Sequence, residues 1–279
     1  MAVGDLCTIR SDVEFAGFRF TRFPELVDGE IPAGTFYSDS ETEWDGWDLP
    51  EARDTDQEAD GDGDMYGAER LHARIVQVRD LLVSGRAAML SLRTAMLRRS
   101  SEAQLVQMGM GPAPTTTTKL FAYARPREFS YLETALAHHE EMYRVDCEWK
   151  CADPRLYSLT ETETTVDGTN PTVANAGNVE APLRWVTTGA ATGPRLRRIS
   201  DDLLVDFDGL TVAGGTTLTW STRIGQAFLS TGADRIGYAN DASGRPAQMW
   251  GIPPGGATVG YAADSGATSA SVFVRAAYL

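Results

Sequence analysis

The chain has 279 residues and a formal net charge of −14 at pH 7. That length fits about two domains, and 42% hydrophobic with 23% charged residues is the balance of an ordinary globular protein. The composition argues against tight, sequence-independent nucleic-acid binding, which runs on a surplus of Lys and Arg against phosphate, and no apolar run nears the roughly 20 residues of a membrane-spanning helix.

The start, "MAVGDLCTIRSDVEF", has no basic segment followed by an apolar core. No signal peptide is therefore expected, and the product is expected to be made in the cytoplasm. Residues 12–37 are aromatic and apolar with Pro and Gly breaks, and Phe18 and Phe20 flank Arg19. That alternation predicts short half-buried strands. Residues 38–69 change character: they are mostly acidic, with a few glycines, one Arg (Arg53), and two tryptophans, Trp44 and Trp47. Such a stretch buries too little apolar surface to fold alone. It reads as a long arm, and its tryptophans predict that the first part docks on something.

"RLHARIVQVRDLLV", 70–83, alternates as a strand, with Ile75 and Gln77 on one parity and Arg74, Val76 and Val78 on the other. The next stretch places Ala88, Met89, Leu92, Ala95 and Met96 at helical spacing. It predicts the one helix, near 86–99, with Ser84 as cap and Arg98 and Arg99 at the favourable end of the dipole. "MGMGPAPTTTT", 108–118, is a turn or connection. "KLFAYARPREFSYL" and "EEMYRVDCEWKCA" follow as two long strands. In the second, Tyr143, Val145, Cys147, Trp149 and Cys151 share one face while charged residues take the other.

At "WKCADPRLYS" the strand must stop. Asp153 precedes Pro154, which holds it extended and cannot donate to a central ladder. The N-terminal domain is accordingly 1–153, and the polar, Thr-rich 154–171 is a linker. Residues 172–279 read as short strands separated by Gly-bearing turns, the pattern of an antiparallel β-sandwich.

No stretch carries a recognisable chemistry. Asp60, Asp62 and Asp64 alternate like calcium ligands, but Met65 and Leu71 stand where an EF-hand loop requires Gly and Glu. His72, His138 and His139 lack metal-ligand spacing. Cys147 and Cys151 would stand about 13 Å apart along a strand, too far for a disulfide. Neither a nucleophile elbow nor a phosphate loop is present. Catalytic, cofactor and metal residues are therefore assigned as none, and no enzyme activity is expected. Trp185 and Trp220 alternate with polar neighbours and are expected in the core. Trp250, beside a Pro/Gly bend, is the expected surface aromatic. Surface aromatics of a β-sandwich stack on sugars, so a glycan-binding module used in host adsorption is the alternative reading, with Trp250 as its contact.

Taken together, "ADPRLYS" at the junction, "VANAGNVEAPLRWVTTG", "WGIPPGG", the terminal "AAYL", and upstream the order acidic loop, strand, helix and "ARPREFSY" resemble the distal tail proteins of long-tailed phages, also called phage tail family or minor tail proteins. The resemblance covers most of 40–279. It implies a mainly β fold: an N-terminal split-barrel-like β domain with one α-helix and a long acidic loop, then a C-terminal antiparallel β-sandwich, galectin-like. It also implies a structural role at the virion tail tip. There, N-terminal domains build a ring, commonly of six subunits, around a channel through which phage DNA passes without specific binding. The implied partners are other copies of the chain, the tail tube protein, the tail-tip hub or tail-associated lysin protein, and other minor tail or receptor-binding proteins. On this reading Trp44 and Trp47 are the expected assembly contacts.

Overall fold

The structure, a computed structural model, describes residues 12–15, 18–21, 36–37, 43–45, 52–53, 70–71, 73–97, 103–108, 120–133 and 142–279. It divides into two units, Met1–Leu156 and Tyr157–Tyr278.

The first unit is built from β1 (Asp12–Phe15), β2 (Phe18–Thr21), β3 (Phe36–Tyr37), β4 (Glu43–Asp45), β5 (Ala52–Arg53), β6 (Arg70–Leu71), β7 (Arg74–Ser84), α1 (Arg86–Met96), β8 (Ala103–Met108), β9 (Leu120–Glu133) and β10 (Met142–Cys151). Seven of these strands run in the order β10-β7-β3-β2-β1-β8-β9, and β9 pairs back onto β10. The sheet therefore closes into a barrel, which removes its free edges. All of its ladders are antiparallel except β2 with β3. β4 extends the pairing along the edge of β7 that β3 also uses. Phe15 on β1 meets Trp149 on β10 with ring centroids 5.4 Å apart. These strands do not pair with each other, so the contact fills the barrel interior. The odd-numbered residues from Tyr143 to Cys151 are buried, as their alternation predicts.

Strand β7 departs from strict alternation. Val76 and Val78 are buried on one parity, then Leu81 and Val83 on the other. The parity change is a β-bulge: Val145 pairs with Leu81 but Cys147 pairs with Val78, so β7 carries one extra residue. α1 follows at once. Its N-cap is Gly85 at φ 91°, with no side-chain cap, so the expected cap by Ser84 is corrected. Ser84 is the buried last residue of β7, and the reversal from strand to helix needs the left-handed backbone that Gly adopts freely. Met89, Leu92 and Met96 form the buried face of the helix, which packs on β7, β9 and β10.

The second unit contains β11 (Leu156–Ser158, whose first residue belongs to the first unit), β12 (Thr162–Asp167), β13 (Thr172–Val173), β14 (Leu183–Thr188), β15 (Ala191–Thr192), β16 (Arg195–Arg198), β17 (Leu203–Asp206), β18 (Thr211–Val212), β19 (Thr217–Ser221), β20 (Gln226–Leu229), β21 (Ala257–Ala262), β22 (Ser265–Gly266), β23 (Ser269–Val274) and β24 (Ala277–Tyr278). A five-stranded sheet, β12-β23-β14-β19-β20, faces a four-stranded sheet, β13-β21-β16-β17, and β18-β15-β22 form a small third sheet. Trp185 of β14 packs against Tyr261 of β21 at 6.0 Å between centroids and against Phe207 at 5.6 Å. Side chains of the two sheets thus share one core, and Trp185 and Trp220 are fully buried in it, as expected. The expected linker over 154–171 is corrected. Its Thr-rich part is strand β12, paired from Thr162↔Val274 to Asp167↔Ser269, with Val166 buried. Threonine is β-branched and suits an edge strand whose outer side is solvated.

Candidate assembly surface

The barrel's outer wall is polar and cross-braced. At the bulge, Asp80 takes φ 55°, a left-handed conformation that Asp tolerates better than most residues. Its amide donates to Asp146 Oδ1 at 2.9 Å, while Ser130 Oγ donates to Asp146 Oδ2 at 3.0 Å. One carboxylate on β10 thereby joins β7 and β9. Two residues along, Glu148 accepts from Gln77 Nε2 at 2.6 Å and pairs with Arg127 at 2.7 Å. There β9 carries its own irregularity, between the Glu148↔Glu128 and Trp149↔Pro126 pairs. A proline in a central ladder is tolerated at such a break. These contacts make the wall a stiff plate and leave it charged.

At the end of the barrel, "ADPRLYS" acts as a lock. Arg74 is 2% exposed, and its Nε donates to the Pro154 carbonyl at 3.0 Å. Asp153 binds the Arg155 guanidinium at 2.8 and 2.9 Å. The motif stops β10 and fastens the following turn to the start of β7.

Short strands of the acidic arm are among the described residues. β4 places Trp44 opposite Val78 of β7. The expected contacts through the Trp44 side chain and through Trp47 lie outside the described residues. β5 and β6 pair as Ala52↔Leu71 and Arg53↔Arg70, so both ends of segment 54–69 are held together. By sequence the arm 38–69 has thirteen acidic residues and one Arg, which is −12 of the chain's −14. The remainder of the chain is close to neutral.

In the second unit the short motifs of the sequence converge on one side chain. Asn175 is 2% exposed. Its Nδ2 donates to the carbonyls of Val179 and Ile252, both at 2.8 Å, and its Oδ1 accepts from Gly177 N at 2.9 Å and from Ala277 N at 3.4 Å. It ties together the Asn-x-Gly-Asn loop, the Trp-Gly-Ile-Pro-Pro bend and the C-terminal strand. A Cβ on Gly177 would run into the Ala277 carbonyl, and one on Gly251 into the Ala181 carbonyl. These glycines are there for close backbone approach.

Trp250 is corrected: it is 3% exposed and is not a surface contact. Its ring meets Trp220 edge-on at 5.6 Å, and the Arg198 guanidinium lies 5.6 Å from its centroid. Arg198 is fixed there by Asp201, by Glu180 and by the Gly251 carbonyl. Hydrogen bonds from Arg198 hold the Asp201 carboxyl below the usual carboxylate range. Asp206 moves the other way, raised chiefly by burial.

Of the remaining sequence candidates, the described residues include Cys147 and Cys151. Cys147 and Cys151 are buried, and burial pushes the Cys147 thiol well above the usual range, with Asp146 adding to it. A thiol so protonated is not a nucleophile. Among the described residues no group of three His, Cys, Asp or Glu side chains is placed to hold a metal ion, and no helix is long and apolar enough to cross a membrane. His72, His138, His139, Cys7 and the Asp60–Asp62–Asp64 run lie outside the described residues.

No protein-family model matches the chain, and no curated protein sequence is significantly similar to it. Solved structures are. The Dit protein of phage SPP1, described as a paradigm of the hub adsorption apparatus in phages infecting Gram-positive bacteria, superposes with a TM-score of 0.53 at 16% identity, over 85% of this chain and 92% of that one. A chain of the phage P2 baseplate in its activated conformation with Ca gives 0.53 at 10% identity, over 87% and 90%. The same baseplate with Sr gives 0.51 at 10%, over 86% and 89%. Both units are needed to reach that coverage, so what is shared is the whole succession of barrel and sandwich. The chain has the fold of the phage Dit and baseplate hub proteins.

Proposed function

We propose that this chain is a structural virion protein of the phage tail tip. On this reading its N-terminal barrels associate into a ring of about six copies around the DNA channel. The ring connects the tail tube to the tail-tip hub and the adsorption apparatus, and the sandwiches carry contacts to other tail proteins. The observation that carries the reading is the match of fold over nearly the full length of both chains. The geometry agrees with it: a closed, cross-braced barrel suits a wall that must hold its shape. A chain whose net charge is −14 also suits a conduit that must not retain DNA.

The partners that follow are further copies of the chain, the tail tube protein, the hub or tail-associated lysin protein, and receptor-binding or other minor tail proteins. No cofactor enters the reading. The glycan-binding alternative leaned on Trp250 as a surface aromatic, and its burial under Arg198 removes that support. Negative-stain imaging of the purified chain tests the ring directly. Closed particles with a central hole are expected; a field of isolated monomers at every concentration would count against the proposal.

A further inference from the structure

The two main sheets of the second unit have four edge strands: β12 and β20 in the larger, β13 and β17 in the smaller. A bare strand edge is a row of unpaired amides and carbonyls that another chain can extend, and proteins ordinarily cover or interrupt it. Three of these four are managed in that way. The segment between β20 and β21 runs first along β20, where Leu229 N donates to the Ala233 carbonyl at 2.9 Å and Arg235 N to the Ala227 carbonyl at 2.7 Å. It then runs along β17, where Asp206 and Asn240 exchange backbone bonds of 2.8 and 2.9 Å. β13 is only two residues long and follows Pro171.

β12 differs. Its six residues pair with β23 without a register shift, and they include no Pro, Gly or Lys. In an antiparallel ladder every second residue turns its N–H and C=O away from the partner strand. Among the described residues no strand pairs with that outer side, and no backbone bond is made to Thr162–Val166 outside the β23 ladder. The side chains divide by parity. Thr164 and Val166 lie opposite Val272 and Ala270 on the core face, and Val166 is buried. Glu163, Thr165 and Asp167 take the outer face. Glu163 accepts from Ser271 Oγ at 2.7 Å and Asp167 from Thr169 N at 2.8 Å. Neither carboxylate has a cationic partner among the described residues, whereas Glu161, just before the strand, pairs with Arg184 at 2.7 Å. Glu163 and Asp167 stand about 13 Å apart at 3.3 Å per residue.

We propose that the outer edge of β12 docks an extended, basic segment of another tail protein, which joins the five-stranded sheet as a further strand. The proposal rests on the tail-tip reading and deepens it, naming where the sandwich takes a partner. Main-chain bonds supply the attachment, and alternate side chains supply the choice. A cation opposite Glu163 and another opposite Asp167 form cross-strand pairs, and apolar residues between them sit beside Thr164 and Val166. The same carboxylates reject a second copy of this chain. Antiparallel self-pairing centred on Thr165 places Glu163 of each strand directly opposite Asp167 of the other, and like charges so placed are destabilising. The net charge of −14 on each chain adds to that repulsion.

Residue-resolved hydrogen exchange of the full-length chain tests this with a synthetic peptide whose core is Lys-Val-Thr-Val-Lys. The core reads alike in both directions and so fits either strand sense. Saturable binding is expected, with slowed exchange at the outward amides of Thr162–Asp167. The same peptide with Glu in place of Lys is expected to bind at least about tenfold more weakly, since two attractive cross-strand pairs become repulsive. In the variant Glu163→Gln with Asp167→Asn the two peptides are expected to bind about equally; both amides keep an oxygen for the bonds from Ser271 and Thr169. Absence of protection in β12 at any concentration of the Lys peptide, protection confined to other strands, equal binding of the two peptides to wild type, or a full preference retained by the variant would each overturn the proposal. The tail-tip reading fails separately. Rings that add no peptide leave that reading standing and remove the edge site. Peptide addition by a chain that never forms rings keeps the edge site and removes the ring.

Discussion

Asn175 shows how much one side chain can specify. It satisfies four backbone groups from segments up to 102 residues away in sequence. Asn175→Ala should lower the unfolding free energy by about 1–3 kcal/mol, since the Val179 carbonyl and the Gly177 amide lose this partner, while the Ile252 carbonyl keeps the Ala181 amide. Urea denaturation of the full chain measures this, and a change below about 0.5 kcal/mol would contradict the role given to it. Asp201 makes a prediction with a sign. Its folded carboxyl is held below the ordinary range by Arg198, so its contribution is present above the unfolded carboxylate range and is lost as pH falls through the depressed value. Asp201→Asn should therefore lower the melting temperature at pH 7, and the gap to wild type should close in acid. Asp206, raised by burial, has the opposite sign: Asp206→Asn should leave the melting temperature at pH 7 equal or higher. Trp185 and Trp220 were legible as core from their polar neighbours. Trp250 was not, because what buries it is Arg198 and Trp220, brought in from elsewhere in the chain.

Among elements, the long strands and the helix were readable because their apolar spacing is regular over ten or more residues. The bulge in β7 was legible too, had the change of parity between Val78 and Leu81 been taken as an inserted residue. Strand β8 was missed: Leu105 and Val106 put apolar groups on both parities, and only pairing with β1 and β9 defines it. Strand β12 was mistaken for linker because its sequence is polar; its register with β23 supplies what its composition lacks. Barrel closure rests on pairings distant in sequence, such as β1 with β8 and the parallel β2–β3 contact, and no local pattern announces those. The bulge makes its own prediction. Asp80→Gly should be neutral or slightly stabilising, because φ 55° costs Gly nothing. Asp80→Val should cost about 1–2 kcal/mol, since a β-branched residue resists that conformation. Equal stability of the two variants would show that the backbone there is not held in this form.

For the whole molecule, charge and assembly are one question. The net charge sits almost wholly in the arm 38–69. The intact chain should show no retention of duplex DNA at about 0.15 M salt, because counterion release needs cationic contacts; a salt-dependent gel shift would contradict the conduit reading. The central claim is that this fold exists to make a ring. Its most direct test is the solution mass of the purified chain by multi-angle light scattering across a concentration series. The account predicts a closed species at about six times the 30.2 kDa chain mass. A single 30.2 kDa species at all concentrations and salt levels would contradict it.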